Sequence, residues 1–147
     1  MRDRKYISDK ECMAYIIHYL TENESCKNNL LSICEWLLSV RGAKCYKTEK
    51  RDTKVTRDIR FDYEDTTDGM FFGIACQKSS ARIDLYVGTK DENDLPEYVK
   101  LNDNPSRGFA RVSGKDTQEL SLNQLKKLIT DSFTDRFGKK MPQGFTH

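Results

Sequence analysis

The sequence has few of the residues that bind metals or act as catalytic bases. Only His18 and His147 are histidines, and the five cysteines never form the C-x-x-C pairs that are typical of structural zinc sites. A Ser-His-Asp or Cys-His site would have to use His18, and nothing in the sequence places a nucleophile beside it. We therefore predict no metal, no cofactor and no catalytic residue of this kind.

Long apolar runs are lacking as well. No stretch approaches the roughly 20 apolar residues that a helix needs to cross a bilayer. The charged segment Met1 to Lys10 has none of the apolar character of a secretory signal. An odd number of scattered cysteines is typical of reduced thiols. Together these features predict a soluble cytoplasmic protein that does not contact membranes.

The chain also has little excess of charge of one sign. It contains 25 Lys and Arg residues and 23 Asp and Glu residues, which gives a formal net charge of +2. A balance this close to zero does not favour non-specific binding to nucleic acid or anionic lipid. The phosphate-binding pattern G-x-x-x-x-G-K-[ST] is missing too. Any site for a polyanion must therefore be a local patch.

What the sequence does contain is a central stretch of alternating apolar residues. Apolar side chains recur at every second position around Ile59 and Phe61, again over residues 72–76, and again over residues 83–87. A period of two is the mark of strands that place one face on a core. We therefore predict an antiparallel meander.

Further strands flank this meander. Lys44 to Thr48 is predicted as a short edge strand, and Thr53 to Glu64 as a long strand that contains a bulge or bend. Phe109 to Val112 is a candidate last strand. Leu95 to Leu101 is compatible with either a short helix or an edge segment, since Pro96 suits both.

Helices are predicted on either side of the strands. Ser8 to Glu11 and Ser121 to Gln124 match the capping box, in which a hydroxyl and a Glu or Gln side chain satisfy backbone N–H groups at a helix start. A second N-terminal helix is predicted to end at Gly42, and the C-terminal helix at Gly138.

The predicted fold is α+β, because the strands are contiguous and the helices flank them. It has two N-terminal helices, an antiparallel meander sheet of three to five strands and one C-terminal helix. The length and the 37% hydrophobic content fit one domain over residues 1–138, followed by a flexible tail at residues 139–147.

The face of the meander opposite the core is the predicted binding surface. Alternation turns aromatic and guanidinium side chains to that side, where they could stack bases and hold phosphates. Cations of the adjoining hairpin would extend the surface. The candidate residues are Lys50, Arg51, Lys54, Arg57, Arg60, Phe71, Arg82 and Tyr86.

Two observations oppose this interpretation. Asp58, Asp62 and Asp84 share the same face and would repel phosphate. Helices could also cover that face, in which case Phe71 and Tyr86 would be core residues. The sequence leaves both alternatives open.

A metal-dependent nuclease is a further alternative. Such enzymes hold Mg²⁺ between strand carboxylates beside a lysine, and Asp62 and Asp84 could meet across strands. Lys78 and Lys90 are not preceded two positions earlier by an acidic residue, so the acid-x-Lys pattern is missing. Asp residues on exposed strands are also commonly a solvated face.

Four motifs along the chain resemble those of a known group of small domains. The chain reads Phe71-Phe72-Gly73-Ile74-x-x-Gln77-Lys78, then Arg82-Ile83-x-Leu85-x-Val87, later Ser106-Arg107-Gly108-Phe109-Ala110-Arg111-Val112, and finally Leu128-Ile129-x-x-Ser132-Phe133. Over residues 27–136 this order resembles small uncharacterised α+β domains attached to predicted nucleases and so-called predicted transport proteins. The chain departs from them by an added N-terminal helix and the long strand Thr53 to Glu64.

The resemblance implies an accessory binding module in a defence or mobile-element setting, and it carries no catalytic residues to transfer. We expect a binding module that acts through its sheet face and its basic hairpin on a nucleic-acid-processing complex. The alternatives are a protein-protein inhibitor or adaptor that binds through Trp36 or the loop Glu64 to Gly69, and the Mg²⁺-dependent enzyme. The partner, protein or nucleic acid, is left undecided, and a homodimer is compatible with the sequence.

Overall fold

The computed structural model describes residues 4–64, 70–102 and 107–142. It is an α+β fold in which helices pack on an antiparallel sheet. The helices are α1 (Asp9–Tyr19), α2 (Glu24–Leu38), α3 (Gly114–Thr117) and α4 (Leu122–Phe137), with a 3-10 turn at Glu92–Asp94. The strands are β1 (Lys5–Tyr6), β2 (Ala43–Glu49), β3 (Thr56–Tyr63), β4 (Phe72–Cys76), β5 (Ala81–Tyr86), β6 (Lys100–Leu101) and β7 (Phe109–Val112).

Over these described residues the sheet has seven strands in the order β1-β2-β3-β4-β5-β7-β6. The predicted meander is confirmed as β2 to β5, but the expected count of three to five strands was too low. The additional strands β1 and β6 are two-residue strands at the two edges, and β6 lies in the segment Leu95 to Leu101, where an edge segment was one of the two alternatives. Such short strands have no readable periodicity, and they protect a sheet from edge-to-edge pairing. The segment from Lys44 is therefore an inner strand, although we expected an edge strand there.

The two N-terminal helices and the C-terminal helix are confirmed. Ser8 and Ser121 cap α1 and α4, and both capping boxes are complete. Gly138 ends α4 in the left-handed conformation, with φ of 66°, which glycine adopts without a steric penalty. The second helix ends at Leu38, earlier than the predicted Gly42, because the chain needs residues 39–42 to turn into β2. The short helix α3 was not predicted.

The long strand predicted from Thr53 to Glu64 is shorter in the structure. β3 begins at Thr56, because residues 50–55 form the turn of the β2–β3 hairpin. There Lys50 N donates to the carbonyl oxygen of Val55 at 2.8 Å. The expected irregularity exists on the partner strand, where the register shifts between Thr48 and Glu49.

The core lies between the helices and one face of the sheet, which we call the helix face. It is lined by alternate residues of the inner strands, among them Ile59, Phe61, Ile74 and Ile83, all fully buried. The apolar stripes of α1, α2 and α4 pack against this face because burial of apolar surface is the main favourable term in folding.

One residue after α4, Met141, also packs into the core. Met141 is only 6% exposed and joins the buried cluster, where we expected a flexible tail from residue 139. Residues 143–147 lie outside the described part of the chain. Over the residues described, none of the helices combines the length and the apolar character that a membrane span requires.

Ser132 connects α4 to the sheet. Its buried Oγ accepts a hydrogen bond from the backbone N–H of Tyr86 at 2.8 Å and donates to the carbonyl oxygen of Phe71. One hydroxyl therefore bonds two backbone groups at the adjoining ends of β4 and β5, where Phe72 pairs with Leu85.

Ser132→Ala would leave both backbone groups without a partner in the interior. We expect the free energy of unfolding to fall by about 2 kcal/mol or more, because each buried unsatisfied group costs about 1–3 kcal/mol. Urea denaturation measures this change. Thr130→Ala is the matched control on the same helix, since the Thr130 hydroxyl donates only to Lys126 of its own helix. Equal reductions in stability for the two variants would contradict the assigned role of Ser132.

Candidate functional site

The face of the sheet opposite the helices, the outer face, contains buried polar side chains. Tyr46, Asp58, Asp62 and Asp84 are each less than 10% exposed, yet none belongs to the hydrophobic core. On their strands they alternate with the residues of the helix face. A carboxylate can be buried only with partners, and the chain supplies these partners.

Asp62 is held by the N-terminal segment. Arg4 forms an ion pair with its Oδ2, and the Tyr6 hydroxyl donates to the same oxygen at 2.8 Å. The Arg4 guanidinium also lies over the Tyr46 ring, 5.2 Å from its centroid. These contacts bring β1 against β2 and cover the carboxylate.

Asp58 and Asp84 are paired by arginines of their own strands. Arg60 Nε lies 3.3 Å from Asp58 Oδ1, and the Thr48 hydroxyl donates to the same carboxylate. Arg82 Nη2 donates to Asp84 Oδ2 at 3.2 Å. The predicted binding residues Arg60 and Arg82 therefore do lie on the outer face, but the charge of each is balanced by an aspartate two positions away.

The predicted outward orientation of Phe71 is wrong. Phe71 is fully buried and packs edge-on against Phe133 of α4, with ring centroids 5.2 Å apart. The prediction failed because β4 begins only at Phe72. Phe71 lies outside the strand, so the alternation of side chains along β4 does not determine where its ring points. An aromatic cluster under α4, which also includes Tyr63 and Phe137, takes up the ring.

Tyr86 is half-buried at the end of β5. Its ring packs against Phe109, with centroids 5.5 Å apart, and the Arg136 guanidinium carbon lies 4.4 Å from its centroid. The ring therefore already has aromatic and cationic neighbours from its own chain. The pair of aromatic residues that we expected to stack bases on the sheet is not presented by this face.

The outer-face carboxylates do not form a metal centre. Residues 4–64, 70–102 and 107–142 bring together no group of three His, Cys, Asp or Glu side chains with the geometry to hold an ion. Asp58 and Asp62 are fully buried, and each is engaged by an arginine. The geometry of these residues therefore gives no support to the Mg²⁺-dependent alternative.

The cysteines are free thiols inside the protein. Four are buried, and Cys76 is half-buried. Burial raises the pKa of the Cys76 thiol to about 12. Hydrogen bonds with Cys34 and Cys45 lower the pKa of Cys12 to about 5, but the side chain of Cys12 is fully buried. None of these thiols offers an accessible thiolate at neutral pH.

The β2–β3 hairpin concentrates positive charge on the surface. Residues 47–57, the basic hairpin, contain five Lys and Arg residues and two acidic residues. This local excess of +3 is larger than the +2 of the whole chain. Lys50, Arg51 and Lys54 lie in the exposed turn, and the Arg57 side chain is 55% exposed.

The acidic residues of the basic hairpin only partly offset these cations. Asp52 lies 3.9 Å from Arg51, and both side chains are more than 90% exposed, so solvent screens the pair. Glu49 forms an ion pair with Lys5 of β1. Lys5 holds the pKa of this carboxyl below its usual range, with smaller contributions from Lys47 and Lys54. A cluster of lysines therefore surrounds one carboxylate, which leaves a positive surface.

An open cleft of about 270 Å³, the α1 cleft, adjoins the basic hairpin. It lies between α1 and the ends of β2 and β3. Its lining residues are Ile7, Glu11, Ala14, Tyr15, His18, Tyr19, Lys47, Thr56 and Ile59. Sequence reasoning missed this cleft, because its two walls are distant in the chain and neither carries a motif.

A second cavity, of about 260 Å³, lies between α4, β5 and the segment around Leu95. Its floor is apolar, with Leu85, Val99 and Leu128 among the lining residues. Both lysines at this cavity form ion pairs, Lys90 with Asp135 at 2.8 Å and Lys127 with Asp131 at 3.0 Å, and Asp94 also lines it. The cavity therefore has no surplus positive charge to select an anionic ligand.

Asp84 allows a test of how burial on the outer face affects a carboxylate and the stability of the fold. Burial raises the pKa of its carboxyl above the ordinary range, although Arg82 beside it acts in the opposite direction. The folded state therefore holds the proton more tightly than the unfolded state. Stability consequently falls as pH rises from the ordinary carboxyl pKa of about 3.9 through the folded pKa of Asp84.

Asp84→Asn removes the buried charge and should make the protein more stable than the wild type at pH 7. The difference should shrink towards pH 4, where the wild-type carboxyl is increasingly protonated. Urea denaturation at both pH values measures this, with Asp91→Asn as an exposed control that should have little effect. A variant that is less stable than the wild type at pH 7 would show that the ion pair with Arg82 outweighs desolvation.

Comparison with protein-family models, with curated proteins and with solved structures finds no match to this chain.

Proposed function

We propose that the protein is a binding module that holds the phosphate backbone of a nucleic acid on its basic hairpin. The observation that carries the proposal is the local charge: residues 47–57 hold an excess of +3 on a hairpin whose turn is fully exposed. Lysine and arginine side chains that neutralise phosphates release counterions, which is the main source of non-specific affinity for nucleic acids.

The outer face is less suited than the hairpin to hold phosphate. Arg60 and Arg82 are paired with aspartates, so phosphate would have to compete with a carboxylate that is already in place. The cations of the hairpin turn face solvent. Phosphate binding at the turn therefore costs little desolvation, whereas binding at the outer face would break buried ion pairs.

The protein-protein alternative has weaker support in the structure. Trp36 is half-buried against the core, and Lys126 lies over its ring at 5.5 Å. It does not project as the kind of aromatic anchor that dominates protein interfaces. Of the acidic loop, residues 65–69 lie outside the described residues.

The resemblance to domains attached to predicted nucleases agrees with a role beside a nucleic-acid-processing complex. In that setting, a module that holds a strand would assist a separate catalytic chain. The proposal for this chain is therefore binding without chemistry.

Lys50→Gln combined with Lys54→Gln tests the proposal without disturbing the turn, whose hydrogen bonds come from backbone groups and Thr53. We expect weaker binding of a labelled single-stranded oligonucleotide in fluorescence anisotropy. The slope of log K against log [salt] should become shallower by about 0.7 for each phosphate that the variant no longer neutralises.

The control is Lys100→Gln combined with Lys115→Gln, which removes the same charge from exposed positions elsewhere. It should leave the slope unchanged. Equal effects of the two double variants would mean that only the net charge matters, and an absence of binding by the wild type would end the proposal.

A further inference from the structure

We infer that the α1 cleft receives one unpaired nucleobase of the strand whose phosphates lie on the basic hairpin. This inference rests on the proposed function and adds a ligand class to it: single-stranded rather than duplex nucleic acid.

The helix wall of the cleft is aromatic. Tyr15, His18 and Tyr19 all lie on α1, with ring centroids 5.0 Å apart for Tyr15 and Tyr19 and 4.7 Å apart for His18 and Tyr19. His18 is exposed and Tyr19 is half-buried, so both rings offer surface to a ligand. Aromatic rings of this kind bind bases by stacking, which tolerates any base because each has a π-face.

The cleft also has polar groups at its rim. Glu11 is exposed, and its carboxylate already accepts hydrogen bonds from Ser8 of the helix cap. A carboxylate repels phosphate but accepts hydrogen bonds from the amino groups of bases. Thr56 and Lys47 line the opposite wall. This set of groups fits the edge of a base better than it fits a phosphate.

The cleft and the hairpin share a strand. Lys47 lines the cleft, and Lys50 opens the hairpin turn three residues further on. At about 3.3 Å per extended residue, the chain between them spans at most about 10 Å. The Tyr15 hydroxyl also bonds the carbonyl oxygen of Arg57 at 3.3 Å, which ties the helix wall to the hairpin. A base in the cleft would therefore place its neighbouring phosphates beside the hairpin lysines.

A base inside a duplex cannot enter such a cleft, because it is stacked and paired with its complement. Unpaired bases can be splayed out onto aromatic side chains. The geometry therefore predicts tighter binding of single strands than of duplexes of equal length.

Ala14→Leu tests the inference by filling the cleft. Ala14 is exposed on α1 and lines the cleft, and leucine is a good helix former. We expect the affinity for a single-stranded oligonucleotide to fall by about tenfold, as for the removal of one stacked base. The salt dependence of binding should stay the same, because the hairpin cations are unchanged. The affinity for a duplex should also stay the same.

Ile17→Met is the control, since Ile17 is 54% exposed on the same helix and is not part of the cleft lining. It should bind like the wild type. If Ala14→Leu binds single strands as tightly as the wild type does, or if the wild type binds duplexes equally well, the base site is ruled out while the phosphate site on the hairpin stands.

A second measurement separates the cleft from the hairpin. Adenosine, which carries no phosphate, is titrated into the protein while the ring signals of His18 are followed by NMR. Saturable shifts in the wild type that disappear in Ala14→Leu support the base site even if oligonucleotides fail to bind to the hairpin. Unchanged His18 signals at millimolar adenosine overturn it.

Discussion

The alternation along β3 is the constraint on which the rest of the structure depends. Ile59, Phe61 and Tyr63 turn to the helix face, while Asp58, Arg60 and Asp62 turn to the outer face. Both sets lie in a central strand with neighbours on each side, so both are largely removed from water. Burial of the apolar set stabilises the fold. Burial of the charged set destabilises it unless each charge has a partner.

The need for partners explains the N-terminal strand. β1 has only two residues, too few to be stable by pairing alone, yet Arg4 and Tyr6 both engage Asp62. The carboxylate of one strand thus brings a distant segment of chain onto the edge of the sheet. Asp58 and Asp84 likewise pair with Arg60 and Arg82, the outer-face cations that the sequence had offered to a ligand. The hairpin turn, where the strands end and side chains have no cross-strand neighbours, keeps its cations exposed to solvent.

Some residues of the candidate site could be predicted from their neighbours in the sequence, and others could not. The hairpin cations could be listed from the sequence, because a turn between two strands is exposed wherever the sheet packs. Phe71 could not be assigned to a face, because it lies one position before its strand and follows the aromatic cluster of α4 instead. The α1 cleft could not be foreseen either, since it exists only where Tyr15 and Tyr19 of α1 meet Lys47 and Thr56 of the hairpin.

By itself the sequence determined the elements whose causes are local: two complete capping boxes, the glycine that ends the last helix, and a meander whose period of two separates an apolar face from a polar one. These follow from hydrogen bonds and side-chain directions within a few residues. Only the tertiary structure decided that the outer-face arginines are neutralised, that β1 and β6 close the two edges, and that a cleft adjoins the basic hairpin. Each of those features depends on contacts between residues far apart in the chain, and the spacing of residues along a sequence does not encode such contacts.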